Sequence, residues 1–219
     1  MMRRFQKLPE KKRMHIQTRH QVAIEHFGYR PQALFWKDEE VQKIRFQVLS
    51  EVIQHLPEVS APLNILDIGC GFGDLYPFLQ QQVQAGAFPE FEYLGIDITP
   101  AMVESARFQY PGIEVKQGEL MDFDFTENQF DLVMLSGALN EPFAEAESYA
   151  KQVIQQAYHI ARSGFAFNLL DNRHEEVVKA HNLQGYEPDA MVSFCQTFAK
   201  KVERVEGYLP NDFTLYLLK

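Results

Sequence analysis

Short apolar runs alternate with amphipathic stretches along most of this chain. Runs at about 63–68, 91–97, 113–117, 130–136 and 164–170 read as strands. Most are nearly continuous in Ile, Leu, Val, Phe and Met, the pattern of strands covered on both faces. Helical stretches fill the gaps, such as residues 74–85, 101–108 and 144–161. The alternation predicts an α/β protein with a doubly wound, mostly parallel sheet. The end of the chain differs. Residues 201–206 and 213–218 flank Gly207-Tyr-Leu-Pro-Asn-Asp212, which predicts an antiparallel hairpin.

Ahead of the first strand, Gly28-Tyr29-Arg30-Pro31 marks a break. Asp38 then offers an N-cap to a helix with Val41, Ile44, Val48 and Val52 on one face. Glu39 and Glu40 stand in its first turn, where the helix dipole favours acids. Thr99 and Pro100 open a later helix as N-cap and first helical residue. Between residues 171 and 197 the pattern is a helix, a Gly185-Tyr-Glu-Pro188 break and another helix.

The 219 residues suit one domain, 1–219, with an N-terminal helical segment and basic arm over 1–60 and an α/β core over 61–219. No apolar run approaches the roughly 20 residues that span a bilayer, so no membrane association is expected. The first residues lack the apolar centre of a secretory signal. Cys70 and Cys195 are the only cysteines and lack metal-ligand spacing. No metal is expected, and a reducing, cytoplasmic setting is the simplest reading.

Charge is uneven. The chain carries −9, yet residues 1–14 hold six bases and one acid, a net +5, so the remainder carries −14. A body that acidic repels a phosphate backbone, which disfavours nucleic acid as substrate. The basic arm (Arg3, Arg4, Lys7, Lys11, Lys12, Arg13) reads first as a solvated terminus and second as a contact for RNA or another acidic partner.

The chemistry concentrates at Ile65-Leu-Asp-Ile-Gly-Cys-Gly-Phe-Gly73. A strand ends in Asp67, and Gly69, Gly71 and Gly73 follow at alternate positions. Such a turn lets a ligand lie against backbone N–H groups. A phosphate-gripping loop needs Lys then Ser or Thr after its last glycine, and Asp74-Leu75-Tyr76 follows instead. A dinucleotide turn, Gly-x-Gly-x-x-Gly, would put its third glycine at Asp74. It would also set a pyrophosphate beside Asp67 and Asp74, a costly pairing of like charges. An ammonium and a sulfonium would suit Asp67, which points to S-adenosylmethionine. A purely structural turn is the bland alternative. The second strand, Phe91 to Asp97, also ends in an acid, placed for ribose hydroxyls. Ile98 follows and could lie against adenine; capping the next helix is the alternative role for Asp97.

Over roughly residues 64–170 the chain resembles the class I S-adenosylmethionine-dependent methyltransferases. Asp67–Gly73, with Cys70 inside the turn, is similar to the family's first motif, and Gly95-Ile-Asp97-Ile98 to its second. Gly118-Glu119-Leu120 is similar to the third, where an acid, more often Asp, meets the adenine amino group and the next N–H meets the ring. Phe130–Ser136-Gly137 is similar to the fourth strand and the loop beneath the methyl group. The resemblance implies a Rossmann-like, seven-stranded sheet ending in an antiparallel hairpin. It implies a cofactor site of Asp67, Gly69, Cys70, Gly71, Gly73, Asp97, Ile98, Glu119, Leu120 and Ser136. It also implies that the segment before the first strand folds over the cofactor as a lid. Arg45, in Gln42-x-x-Arg45-Phe46, is expected either to reach the cofactor's carboxylate or to pair with an acid such as Glu51 or one from another element. Trp36 either closes the lid or packs in the core.

Methyl transfer from a sulfonium needs mainly a nucleophile held in line, and a base only where the nucleophile must lose a proton. No dyad or triad is visible. Asn140 and His174 are the candidates, Asn140 to orient an acceptor and His174 as a base. Glu141-Pro142-Phe143 is unlike the Asn-Pro-Pro-Tyr-type loop used on nucleobase amino groups. Acceptor choice is expected to reside in residues 1–40, 137–145 and the helical insert near 171–197. A small-molecule acceptor fits a short chain without a recognition domain. A protein that binds the cofactor without transfer, and an NAD-dependent oxidoreductase, are the alternatives; Asp67 and Asp74 count against the latter.

Overall fold

The computed structural model describes residues 6–36, 38–57 and 61–219. Arg3 and Arg4 of the basic arm lie outside them. Seven strands form one sheet: β1 (Leu63–Ile68), β2 (Phe91–Asp97), β3 (Glu114–Gln117), β4 (Phe130–Ser136), β5 (Ala161–Leu170), β6 (Lys201–Glu206) and β7 (Asp212–Leu218). Their order is β3-β2-β1-β4-β5-β7-β6. The first five are parallel, and β7 pairs antiparallel with both β5 and β6. This is the doubly wound sheet with a terminal hairpin expected from the sequence.

Seven helices are described: α1 (Glu10–Phe27), α2 (Glu39–Ser50), α3 (Leu75–Gln84), α4 (Pro100–Gln109), α5 (Ala146–Ile160), α6 (Glu175–Lys179) and α7 (Pro188–Cys195). Asp38 caps α2, accepting from the Val41 N–H at 2.9 Å. Thr99 precedes α4, but its hydroxyl caps nothing. Its own N–H instead donates to the Asp97 carboxylate at 2.8 Å, so the acid holds the turn into the helix.

Strand alternation divides the core between two faces. Val133 and Leu135 of β4 join Phe165, Phe167, Leu215 and Leu217 beneath α5. Leu132 and Met134 point the other way, to Leu49, Leu75, Leu79 and Val103 of α2, α3 and α4. α5 contributes Ala146, Ala150, Val153, Ile154 and Ala157, the spacing of one helical face. Each large apolar side chain buried this way contributes about 1.5–3 kcal/mol.

The strand order reverses between β1 and its neighbours β2 and β4, and at such a point the carboxyl ends of the strands open a crevice. Asp67 stands there in register with Gly95 and Met134. Gly95 must be small: a Cβ there would come within 2.8 Å of Cys70 Sγ and 3.0 Å of Val115 Cγ1. On the other side, α2 is tied to the hairpin by an ion pair. Arg45 Nη2 donates to Asp212 Oδ1 at 2.7 Å and Nε donates to Oδ2. Arg45 is 9% exposed and Asp212 3%.

Two stability predictions follow from these contacts. Gly95→Ala should lower unfolding free energy by about 1–3 kcal/mol through overpacking, read from the denaturant midpoint; an unchanged midpoint would contradict the close packing. Arg45→Ala should cost about 3–5 kcal/mol, because it strands the buried Asp212 carboxylate. A loss below about 1 kcal/mol in the same measurement would show that the pair does not hold α2.

Candidate active site

A cavity of about 460 Å³ opens at the carboxyl ends of β1, β2 and β4. This is the size of a small-ligand site. Asp67 to Gly71 of the crook form its floor, and Gly73 lies outside its lining. Gly69 has φ +72° and its missing Cβ would fall 2.3 Å from Ala138 Cβ, so only glycine fits. Gly71 has φ +55° and faces Leu34 in the segment above, while Gly73 sits against Ile113.

The crook differs from the sequence expectation in one respect. The N–H groups of Gly69, Cys70, Gly71 and Gly73 are bonded within the fold rather than presented to a ligand. Those of Gly69 and Cys70 donate to Ile96 O at 2.8 and 3.0 Å, and that of Gly73 to Cys70 O at 2.9 Å. The Gly71 N–H donates to Asp97 Oδ2 at 3.0 Å. The side chains offered to the cavity from this floor are carboxylates, Asp67 and Asp97, 3% and 8% exposed. No Lys or Arg among the described residues bonds either one.

Burial dominates their titration. It pushes Asp67 up to about 7, with the Tyr93 hydrogen bond opposing the shift and the Asp97 and Asp74 charges adding to it. Asp97 is also raised by burial, against the Thr99 and Gly71 N–H groups and the nearby His20. His20 is lowered by burial, with Asp97 opposing. For Asp67 the sign is unfavourable at neutral pH. Its contribution to stability is full below about pH 4 and is lost as pH rises through about 7. A cation in the crook would reverse that loss.

Ile98, Glu119, Leu120 and Ser136 line the same cavity. The Glu119 carboxylate, however, is already engaged. It accepts from the Leu8 N–H at 3.0 and 3.1 Å, from Tyr149 Oη at 2.7 Å and from Arg13. Lys7 and Arg13 also reach Asp122, each at 2.7 Å, and Lys12 and Arg19 pair with Glu141. Lys12 and Arg13 of the basic arm are therefore docked on Glu141 and Glu119 of the cavity lining, while Lys7 pairs with Asp122 in an exposed position. α1 packs Ala23 and Ile24 with Phe72 of the crook, closing residues 6–36 over the site.

Arg45 lines the cavity and pairs with Asp212, an acid from another element. Its guanidinium lies 4.2 Å from the Trp36 ring centroid, and Trp36 borders the cavity beside Gly137. Asn140 also lines it, and its Oδ1 is buried without a partner. The Thr99 hydroxyl, beside Asp97, is likewise unpartnered. Two orphaned polar atoms on one cavity indicate groups a ligand satisfies. His174 stands apart, in a separate depression with Asp171, Arg173 and Tyr208. Asp171, which the insert brings in, is clamped by Arg173 at 2.6–3.0 Å.

Sequence reading missed Tyr93, His20, Tyr149 and Asp212. Tyr93 carried a faint signal, a lone hydroxyl two residues before Gly95 in an apolar strand. The other three are joined to the site across 30 to 167 positions, which no local pattern records.

Comparison with known proteins agrees with this geometry. The model of a methyltransferase domain matches residues 65–164. A Mycobacterium tuberculosis protein named provisionally as a methyltransferase, Rv1506c, is 24% identical over 72% of this chain and 94% of its own length. Trans-aconitate 2-methyltransferase of Acidovorax sp. (strain JS42) is 28% identical over 53% of this chain, which spans only 43% of that relative. Magnesium protoporphyrin IX methyltransferase of Synechocystis PCC 6803, solved with bound S-adenosylmethionine, shares the fold at a TM-score of 0.62 and 14% identity, covering 98% of this chain and all of that one. The fold and these matches identify residues 65–164 as a methyltransferase domain and make the chain similar to the S-adenosylmethionine-dependent methyltransferases.

Proposed function

We propose that this chain transfers the methyl group of S-adenosylmethionine to a small-molecule acceptor. One observation carries the reading: four of the crook's N–H groups are bonded within the fold, and its floor offers two buried carboxylates that no Lys or Arg among the described residues bonds. That floor repels a pyrophosphate and favours a ligand with an ammonium and a sulfonium. Asp97, held by two N–H groups, keeps lone pairs for ribose hydroxyls, with the Thr99 hydroxyl beside it. Asp67 faces the ammonium. Gly69, Cys70 and Gly71 let the ligand lie close to the backbone, Gly73 turns the crook against Ile113, and Ile98 and Leu120 flank the base. Glu119 meets the adenine amino group only by sharing its carboxylate with Leu8, Arg13 and Tyr149. Arg45, fixed by Asp212 and Trp36, borders the carboxylate end.

The cofactor supplies an electrophilic methyl on a neutral leaving group. The chain's own task is to hold an acceptor in line and exclude water. Ser136 and Asn140 lie on the loop beneath that position, and Asn140 Oδ1 accepts a hydrogen bond from the acceptor. His174 stands outside the cavity and takes no part. The whole chain acts as one unit in this reading, with residues 1–60 as lid and arm, 61–219 as core, and the insert near 171–197 at the acceptor side. It works in the cytoplasm, where Cys70 and Cys195 stay free thiols. Names among the relatives make small carboxylic acids the first acceptors to assay.

The test is formation of S-adenosylhomocysteine from purified protein, S-adenosylmethionine and a metabolite pool. Product that requires the pool supports transfer; binding without product under broad screening contradicts it. Within this reading Asp97→Ala should weaken S-adenosylmethionine at least tenfold, about 1.4 kcal/mol, by calorimetry. Unchanged affinity in the folded variant would remove Asp97 from the ribose site.

A further inference from the structure

Tyr93 is a polar residue in an apolar setting. It lies on β2 in register with Ile65, two residues before Asp67 on β1. Its ring packs with Tyr76 and Phe91 at 5.4 and 6.5 Å. It does not line the cavity. Its hydroxyl donates to Asp67 Oδ2 at 2.6 Å, a bond buried at both ends. Phenylalanine would satisfy the surrounding cluster, so the hydroxyl serves Asp67. Asp67 Oδ1 accepts no hydrogen bond from the described residues, and Asp67 borders the cavity.

We propose that Tyr93 is a positioning residue that holds Asp67 from the core side, favours its ionised form for the cofactor's ammonium group, and so sets the pH range over which S-adenosylmethionine binds. This rests on the reading of the crook given under Proposed function. The groups facing Asp67 are few. Cys70 and Asp74 come from the crook and Asp97 from β2. Asp74 is itself held by Gln42 of α2 at 3.0 Å and by Tyr110 Oη, just beyond α4, at 2.9 Å. His20 of α1 acts on Asp97, and the Arg45 charge is committed to Asp212. Among the described residues Tyr93 therefore makes the one side-chain hydrogen bond that favours the Asp67 anion. Burial and the adjacent carboxylate push the Tyr93 hydroxyl well above its ordinary value, so it stays a donor across the working range. Asp67 sits near 7 even with that bond. Binding a cation against it is then linked to release of its proton.

The experiment measures S-adenosylmethionine affinity by calorimetry from pH 5.5 to 9 for the wild type, Tyr93→Phe and Asp67→Asn. The ligand's own amino group titrates identically in all three, so differences between profiles report the protein. Tyr93→Phe should move the midpoint of the affinity profile up by about one pH unit, with a loss of about fivefold to tenfold near pH 7 that disappears by pH 9. Asp67→Asn should flatten that part of the profile. Titration of the wild type in two buffers of different ionisation heat should show proton release near pH 7 that Asp67→Asn abolishes, a readout that stands even if Tyr93→Phe does not fold. An equal loss at every pH, an unmoved midpoint, or no proton release beyond that of Asp67→Asn overturns the role of Tyr93 and Asp67 while leaving cofactor binding intact. Failure of the wild type to bind at any pH overturns the reading of the crook itself.

Discussion

Two carboxylates buried at a sheet's reversal point, with no Lys or Arg bonded to them among the described residues, set the terms for this protein. Burying an unpaired carboxylate is costly, and a chain has no reason to retain two unless something compensates them. Asp97 is partly compensated by the Gly71 and Thr99 N–H groups. Asp67 has one hydroxyl. The remaining compensation falls to a ligand, and a cationic one.

The surrounding structure serves that constraint. Gly95 admits Cys70 beneath the crook, and Gly69 admits the loop carrying Ala138. The Arg45–Asp212 pair fastens α2 to the hairpin, so the antiparallel end of the sheet helps position the wall that bears Trp36. Lys7, Arg13, Lys12 and Arg19 draw the N-terminal segment onto Glu119, Asp122 and Glu141. The acidic rim and these basic side chains are thus two halves of one closure.

Much of the fold was legible because its determinants are local. Apolar runs marked β1, β2 and β4 to the residue, and Asp38 marked the start of α2. β5 begins at Ala161, directly against α5, where Arg162 and Ser163 masked the run. Parts of the site were legible for the same reason, since Asp67, the glycines and Asp97 sit at strand ends. What escaped was relational. That Glu119 holds the N-terminal arm, that Arg45 pairs with Asp212, and that Thr99 leaves its hydroxyl free depend on partners brought together only by the folded sheet. The N–H groups of Gly69, Cys70 and Gly71 were read as open to a ligand because sequence cannot show that Ile96 O and Asp97 accept them.

The most direct measurement is thermal unfolding with S-adenosylmethionine and, separately, with NAD, each at 100 times the dissociation constant measured for S-adenosylmethionine. Binding at that level adds about 2.7 kcal/mol. For a chain of this length that raises the melting temperature by roughly 5–10 °C. The account predicts that rise with S-adenosylmethionine and none with NAD. A rise with NAD, or no rise with S-adenosylmethionine at any concentration, would contradict it.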